Sequence, residues 1–147
     1  MKRLLQGKAA HIRLGAAGET ASVRMFENAD CDVLMRDYRM KNGEIDLIVR
    51  DGLSLVFTEV KTRRAKTLAQ AERTRPAAAL RNPQKRRIYR AAFTFMREIG
   101  KPAVPYRFDL VEVLFLNSRL YKIFHWKSHF GVRTFRRKSG GAPNLFR

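Results

Sequence analysis

The stretch GEIDLIVRDGLSLVFTEVKTR, from Gly43 to Arg63, predicts two core strands joined by a tight turn. Its two halves, Ile45–Arg50 and Leu53–Lys61, are rich in Ile, Val, Leu and Phe. Asp51-Gly52 between them is a dipeptide typical of a two-residue hairpin loop. The stretch also contains four of the 13 acidic residues of a chain whose formal net charge is +18. Carboxylates inside apolar strands are costly, so their positions need a physical explanation.

The predicted hairpin register places these acids on one face of the sheet. With Asp51-Gly52 as the loop, Asp46 pairs with Phe57, and Asp46, Glu59 and Lys61 share a face. Asp46 and Glu59 are then diagonal neighbours, with Cα atoms roughly 7–8 Å apart. Two carboxylates at this spacing can hold one hard divalent cation. We therefore predict a Mg²⁺ or Mn²⁺ site here, with Lys61 placed to hold a water and stabilise charge on a phosphate.

The positive charge of the chain is concentrated after this stretch. Residues 1–59 carry nine Lys or Arg and nine Asp or Glu, whereas residues 60–147 carry 22 against four. A basic surface and a sequence pI of about 11.2 favour a polyanion as partner, because neutralising phosphates releases counterions. Anionic membrane surfaces would attract the same charge, but no basic amphipathic helix with a broad apolar face is evident. The predicted partner is nucleic acid, DNA in particular, and not a membrane.

Length and cysteine content limit the class of protein. The 147 residues, 45% of them apolar, suffice for one domain with a core. No apolar run approaches the ~18 residues that a membrane span needs. Cys31 is the single cysteine, which excludes an internal disulfide and predicts a protein of the reducing cytoplasm.

Residue patterns predict one α/β domain, a mixed sheet flanked by helices, over residues 11–132. Residues 1–10 are predicted to be a basic tail, residues 62–82 a mobile loop or partly helical arm, and residues 133–147 a basic, disordered tail. Helices are predicted over residues 11–28 and 82–99, the second beginning at Asn82-Pro83. Strands are predicted over residues 31–38, 45–50, 53–61, 106–115 and 120–124.

Two levels of resemblance follow from these motifs. Asp46, followed after a gap by Glu59-Val60-Lys61, resembles the D…(D/E)-x-K signature of the PD-(D/E)-x-K nuclease superfamily, which has a restriction-endonuclease-like core. More closely, the chain resembles the YraN-like family of small bacterial proteins. That resemblance is carried by Gly18-Glu19, NGEIDLIVRDG…LVFTEVKTR, the K-R-R-I…A-A helix around Lys85–Ala92, and RFDLVEV at Arg107–Val113.

The resemblance implies an endonuclease similar to archaeal Holliday-junction resolvases. It implies that Asp46 and Glu59 are metal ligands, that Lys61 is the catalytic lysine, and that Glu19 on the first helix reaches the same metal. Lys85, preceded by Gln84, matches a basic position that contacts phosphate. Junction resolvases need two active sites, so a homodimer is also implied.

Other charged residues have competing interpretations. Arg86, Arg87 and Arg90 either contact phosphate or form a solvated helix face, and the overall charge favours phosphate contact. Glu44 is interpreted as structural, capping the turn or pairing with an arginine. Asp109 is also interpreted as structural, pairing with Arg107 or another basic residue.

Three functions are compatible with the sequence. The first is a metal-dependent endonuclease acting on DNA, branched or structured DNA included. The second is a catalytically silent nucleic-acid-binding protein of the same fold, acting within a repair or ribosome-associated complex. The third is a basic structural protein whose acids only form ion pairs.

Overall fold

The computed structural model describes residues 2–74 and 80–131. These residues form the following elements in chain order: α1 (Lys2–Asn28), β1 (Asp32–Met40), β2 (Gly43–Asp51), β3 (Ser54–Ala65), α2 (Leu68–Arg73), α3 (Asn82–Glu98), β4 (Tyr106–Leu116) and β5 (Arg119–Phe130). The tail predicted over residues 133–147 lies outside the described residues. Among the helices of the described segments, none is long and apolar enough to cross a membrane.

The strands form one mixed sheet in the order β1-β2-β3-β4-β5. The pairs β1–β2, β2–β3 and β4–β5 are antiparallel, whereas β3 and β4 are parallel. A parallel pair needs a crossover connection, and here α2 and α3 lie within it. The predicted α/β class, a mixed sheet flanked by helices, is confirmed, and the arrangement is compatible with a restriction-endonuclease-like core.

Apolar cores cover both faces of the sheet. The core on the α3 side includes Ile48, Phe57, Ile88, Ala92, Phe95 and Phe108. The core on the α1 side includes Phe26, Leu47, Val49, Val56 and Val111. Burial of both faces explains why the central strands have nearly continuous apolar sequences. The predicted helix over residues 82–99 is confirmed, and its apolar face is buried.

The turn between β2 and β3 differs from the prediction. Asp51 pairs with Ser54, so the loop residues are Gly52 and Leu53 rather than Asp51 and Gly52. Gly52 has φ +58° and occupies the first central position, where a type II′ turn requires glycine. An ion pair of 2.9 Å between Asp51 and Arg107 holds the aspartate at the end of the strand. The true register places Phe57 opposite Ile48.

The first helix begins at Lys2, well before the predicted start at residue 11. The basic tail predicted for residues 1–10 is therefore helical from Lys2 onward. Residues 4–13 are exposed, so no buried apolar face marks this part of the helix. The prediction used apolar periodicity and missed a segment rich in Ala, Leu, Lys and Arg, which favour helix by intrinsic propensity.

Two further boundaries also differ. The segment predicted over residues 62–82 as a mobile loop or partly helical arm begins as strand, since β3 continues to Ala65, and it contains the helix α2, in agreement with the partly helical alternative. The Thr67 hydroxyl caps α2 by accepting from the Gln70 N–H at 3.2 Å. Residues 75–79 of this segment lie outside the described residues. Strand β5 extends to Phe130 instead of ending near residue 124, because the buried Asp109 carboxylate accepts from the Ser128 N–H at 2.9 Å.

Gly43 lets α3 pack directly on the start of β2. A Cβ at this position would overlap the Arg87 carbonyl oxygen and would lie 3.0 Å from the Ala91 nitrogen. These obstacles are main-chain atoms of a helix, which have no rotamer to change. The approach of α3 to the sheet therefore depends on the absence of a side chain at residue 43.

We expect Gly43→Ala to lower the free energy of unfolding by about 1–3 kcal/mol, the usual cost of overpacking. Gly7→Ala is the control, because no atom lies within 4 Å of a Cβ at that exposed helical position. Alanine should stabilise the helix there, since its propensity is better by roughly 1 kcal/mol. Urea titration of both variants measures the two changes. Equal effects of the two substitutions would contradict the packing role of Gly43.

Candidate active site

Asp46 lies where β2 separates from β3. The β2–β3 pairing ends at Leu47 and Thr58, and the next pair in this register would be Asp46 with Glu59. Instead of a main-chain carbonyl, the Asp46 Oδ2 atom accepts the hydrogen bond from the Val60 N–H, at 2.7 Å. Regular alternation is also broken here, since Ile45 belongs to the α3-side core and Leu47 to the α1-side core. The carboxylate thus enters the space between two diverging strands.

Asp46 and Glu59 form a close pair of acids. Burial raises the pKa of Asp46 to about 8, and the charge of Glu59 and a hydrogen bond to its side chain contribute to this rise. The Val60 N–H opposes the rise because it stabilises the ionised form. Glu59 has a side-chain exposure of 13%, against 37% for Lys61, whose Nζ lies 3.0 Å from Glu59 Oε1. The structure therefore brings together three predicted residues: Asp46, Glu59 and Lys61.

Glu19 approaches this pair from α1. The helix packs closely on β3 at Gly18, where a Cβ would overlap the Thr62 hydroxyl and lie 2.9 Å from Thr62 Cβ. Burial and the charge of Asp37 raise the pKa of Glu19, and Glu59 adds a smaller contribution of the same sign. Glu19 is therefore within electrostatic range of the pair, on the opposite side of the sheet from α3.

The structure does not assemble all three predicted ligands into one ready site. Within residues 2–74 and 80–131, no group of three or more Asp, Glu, His or Cys side chains is close enough to hold a metal ion. Asp46 and Glu59 nevertheless suit a hard cation, because they are oxygen donors whose mutual repulsion a cation would relieve. Glu19 would have to move closer to act as a third ligand.

The first turns of α3 form the other wall of the site. A cleft of about 90 Å³ is lined by Glu44, Glu59, Lys61, Gln84, Arg87 and Ile88. The Gln84 side chain accepts from the Arg81 N–H at 3.2 Å and so caps the helix. Arg87 forms an ion pair with Glu44 at 3.5 Å, as expected for a structural role of Glu44. The positive end of the α3 dipole faces this cleft and favours an anion there.

The remaining predicted nucleic-acid contacts lie outside the cleft. The Lys85 ammonium lies over the Phe130 ring, 5.9 Å from its centroid, toward β5 rather than β2. Arg86 and Arg90 are exposed and form no ion pair with other described residues. Of the five predicted contacts on this helix, only Gln84 and Arg87 line the cleft.

Sequence reasoning missed two arginines of β1. Arg39 pairs with Glu44 across β1 and β2, and its charge interacts with both Glu44 and Asp46. Arg36 donates to the Thr20 hydroxyl at 3.3 Å and lowers the pKa of Glu19, against the effect of burial. Only the β1–β2 register could have revealed them, because neither belongs to the GEIDLI or EVKTR motifs.

A buried acid on β4 was also missed. Glu112 is buried and pairs with Lys61 in the parallel β3–β4 register. It accepts from the Trp126 indole N–H at 3.1 Å and lies 3.9 Å from Arg63. Glu112 therefore links the cleft to the basic residues that follow Lys61 on β3.

We expect Asp46→Asn to stabilise the metal-free protein, increasingly so as the pH rises from about 4 to about 8. Because the pKa of Asp46 is raised to about 8 in the folded state, the folded wild type binds more protons than the unfolded chain in this range. Its stability therefore falls as the pH rises, and the loss is complete above pH 8. Asparagine does not titrate, yet its side-chain oxygen can still accept from Val60.

Thermal unfolding in EDTA at pH 4.5 and pH 8 measures this difference. A gain of about 1 kcal/mol corresponds to about 2–4 °C in a domain of this size. The melting temperatures of wild type and variant should diverge at the higher pH. A gap that is the same at both pH values would show that Asp46 ionises normally.

Comparison with known proteins places the chain in a family. Residues 18–113 match the model of the uncharacterised protein family UPF0102. UPF0102 protein STH1475 of Symbiobacterium thermophilum is 39% identical over 101 residues, 69% of this chain and 81% of that protein. A UPF0102 protein of Geotalea daltonii is 34% identical over 127 residues, 86% of this chain and 96% of that protein. The resemblance to the YraN family is confirmed, and the chain belongs to UPF0102.

Proposed function

We propose that this protein is a metal-dependent endonuclease that hydrolyses DNA phosphodiester bonds, with branched or structured DNA as the candidate substrate. The observation that carries the proposal is the Asp46–Glu59 carboxyl pair, with Lys61 3.0 Å from Glu59. Burial and the neighbouring Glu59 raise the pKa of Asp46 to about 8, and acids perturbed in this way cluster at functional sites. Here Glu59 and Lys61 line a cleft, in a protein of net charge +18.

Asp46 and Glu59 would hold the cation, Mg²⁺ or Mn²⁺. When bound, such an ion neutralises charge on the phosphate and lowers the pKa of a coordinated water. Lys61 is the one cationic side chain in contact with the pair among the residues described. Displaced from Glu59 by the cation, its ammonium would be available to orient a water and to stabilise negative charge on the phosphate.

Gln84 and Arg87 would position the nucleic acid from the α3 side of the cleft. Arg87 already interacts with an acid, Glu44, and a phosphate could take the place of that carboxylate. The N-terminus of α3 adds partial positive charge to the same wall. Exposed Arg86 and Arg90 on the following turns extend this basic surface along the helix. The proposal of DNA as partner thus rests on charge and on the position of these groups around the carboxyl pair.

Mn²⁺ should raise the melting temperature of the wild type. A ligand that binds only the folded state stabilises it by about 2.7 kcal/mol at 100 times its dissociation constant. Glu59→Gln should abolish the shift, because it removes one of two anionic ligands. Glu27→Gln, an exposed residue at the far end of α1, is the matched control and should keep it. A shift that survives Glu59→Gln would place the metal elsewhere.

A cleavage screen tests the activity itself. Four-way junction, flap, single-stranded and duplex DNA are incubated with Mg²⁺ or Mn²⁺, using wild type, Glu59→Gln, Lys61→Met and Glu27→Gln. We expect metal-dependent cleavage by the wild type. Its rate should fall about 10²–10³-fold in Glu59→Gln and in Lys61→Met, as when a charge-stabilising group is removed. Glu27→Gln should cleave like the wild type.

The other outcomes are equally informative. If no substrate is cleaved with either metal, the proposed endonuclease function is wrong. Salt-sensitive DNA binding in that case, unchanged in Glu59→Gln, would favour the catalytically silent binding protein. If a four-way junction is cut on two strands, we expect a homodimer, since each protomer carries one such site, and sedimentation would measure it.

A further inference from the structure

The N-terminal half of α1 extends beyond the end of the sheet that carries the carboxyl pair. Gly18 packs on Thr62, three residues after Glu59 on β3. The helix ends at Asn28, and β1 then pairs Asp32 with Arg50 at the opposite end of the sheet. The part of α1 after Gly18 therefore extends from the site toward the opposite end of the sheet. The part before Gly18 extends in the other direction, beyond the site. We call residues 4–13 the arm; all of them are exposed.

The arm carries positive charge, from Lys8 and Arg13, and no negative charge. Between Lys2 and Gly18 the sequence contains four Lys or Arg and no Asp or Glu. Residues 1–59 carry nine Lys or Arg and nine Asp or Glu in total, so the excess of positive charge before Gly18 is local. Charge complementarity therefore selects a polyanion as its partner.

One face of the arm is the same face of α1 that carries Glu19. Lys8 precedes Glu19 by eleven residues, which is about three helical turns, so both side chains project in nearly the same direction. Leu5 and Ile12 flank Lys8 on this face, and Ile12 is 65% exposed. Arg13 projects about 140° away from Lys8 around the helix.

Gly15 lies on the same face, between the arm and Glu19. No atom lies within 4 Å of the place where its Cβ would be, so packing within the chain does not require glycine. Glycine inside a helix costs roughly 1 kcal/mol relative to alanine. Its absence of a side chain leaves the helix backbone open to close approach by a ligand.

We propose that the Lys8 face of the arm, from which Arg13 projects away, holds the sugar–phosphate backbone of DNA beyond the cleavage site, with Lys8 contacting a phosphate. This inference rests on the proposed endonuclease function and adds a second contact region to it. Lys8 is about 16 Å from Glu19 along the helix axis. At a rise of about 3.4 Å per base pair, this distance corresponds to about five base pairs.

Two other partners fit the arm less well. A membrane would need a broad apolar face, whereas here Lys8 lies between Leu5 and Ile12 and the same face leads to Glu19. A second copy of the chain would bring two acid-free, cationic segments together, which repel each other. DNA has the negative charge that complements the arm, and a duplex bound along this face would extend to the carboxyl pair.

The test compares Lys8→Gln with Arg13→Gln. Each removes one positive charge from an exposed position of the same helix, and glutamine preserves helix propensity. Binding is measured by fluorescence anisotropy in EDTA, using a labelled 30-base-pair duplex and a labelled four-way junction over a range of salt concentrations. Lys8→Gln should reduce the slope of log affinity against log salt by about 0.9, the value for one phosphate contact. Arg13→Gln should change it much less.

Equal slopes for the two variants would contradict the proposed DNA contact of the arm. They would not affect the proposed endonuclease function, since cleavage by the wild type is measured separately. Failure of the wild type to bind either DNA would count against both proposals. The same variants are also mixed with phosphatidylserine vesicles and examined by sedimentation. If Lys8→Gln abolished vesicle binding or self-association but left the DNA slope unchanged, a membrane or a second copy would replace DNA as the partner.

Discussion

The hydrogen bond from the Val60 N–H to Asp46 Oδ2, 2.7 Å long, determines the geometry of the site. In an antiparallel ladder this N–H would donate to a main-chain carbonyl of the neighbouring strand. Here a side chain accepts it instead, at the point where β2 is no longer paired with β3, on the N-terminal side of Leu47. The Asp46 carboxylate occupies the space between the two strands. The same N–H opposes the rise in the pKa of Asp46 that burial and Glu59 cause. One bond therefore ends the ladder, holds Asp46 against Glu59 and favours the ionised carboxylate that a cation needs.

Two glycines then bring a helix to each side of this opening. Gly18 lets α1 approach Thr62, and Gly43 lets α3 approach β2 through Arg87 and Ala91. A side chain at either glycine would push a helix outward and move its functional groups with it, Glu19 on one side and the first turns of α3 on the other. The chain resembles its family at both positions, in Gly18-Glu19 and in the GEIDLI motif. Close packing at these glycines gives those motifs a physical reason beyond the acids that follow them.

Asp46, Glu59 and Lys61 were predicted correctly to lie close together, although the predicted hairpin register was wrong. The hairpin loop is displaced by one residue, which shifts the pairing by two positions and so keeps the side chains of the paired residues on their predicted faces. If this register continued, Asp46 would lie opposite Glu59 rather than diagonal to it, and Lys61 lies beside Glu59. Arg39 was not predictable in this way, because its position depends on the β1–β2 register, which no motif indicates. Glu112 was not predictable because it pairs with Lys61, which is far away in sequence. The arm of α1 escaped prediction because an exposed helix has no apolar periodicity to detect.

A comparison of two buried aspartates distinguishes the site from the scaffold. Burial raises the pKa of Asp109, but hydrogen bonds from His125, the Ser128 N–H and Arg107 outweigh it and hold the pKa below the usual value. Asp46 accepts one N–H, from Val60, and the charges that act most strongly on it are those of Glu59 and Glu19. Both aspartates lie in the same sheet of a strongly basic protein, so a shortage of cations does not explain the difference. Asp109 is held by donors and cations, whereas the charges that act most strongly on Asp46 are acidic, and Lys61 is the ion-pair partner of Glu59 among the described residues. A divalent cation would relieve the repulsion that remains between Asp46 and Glu59.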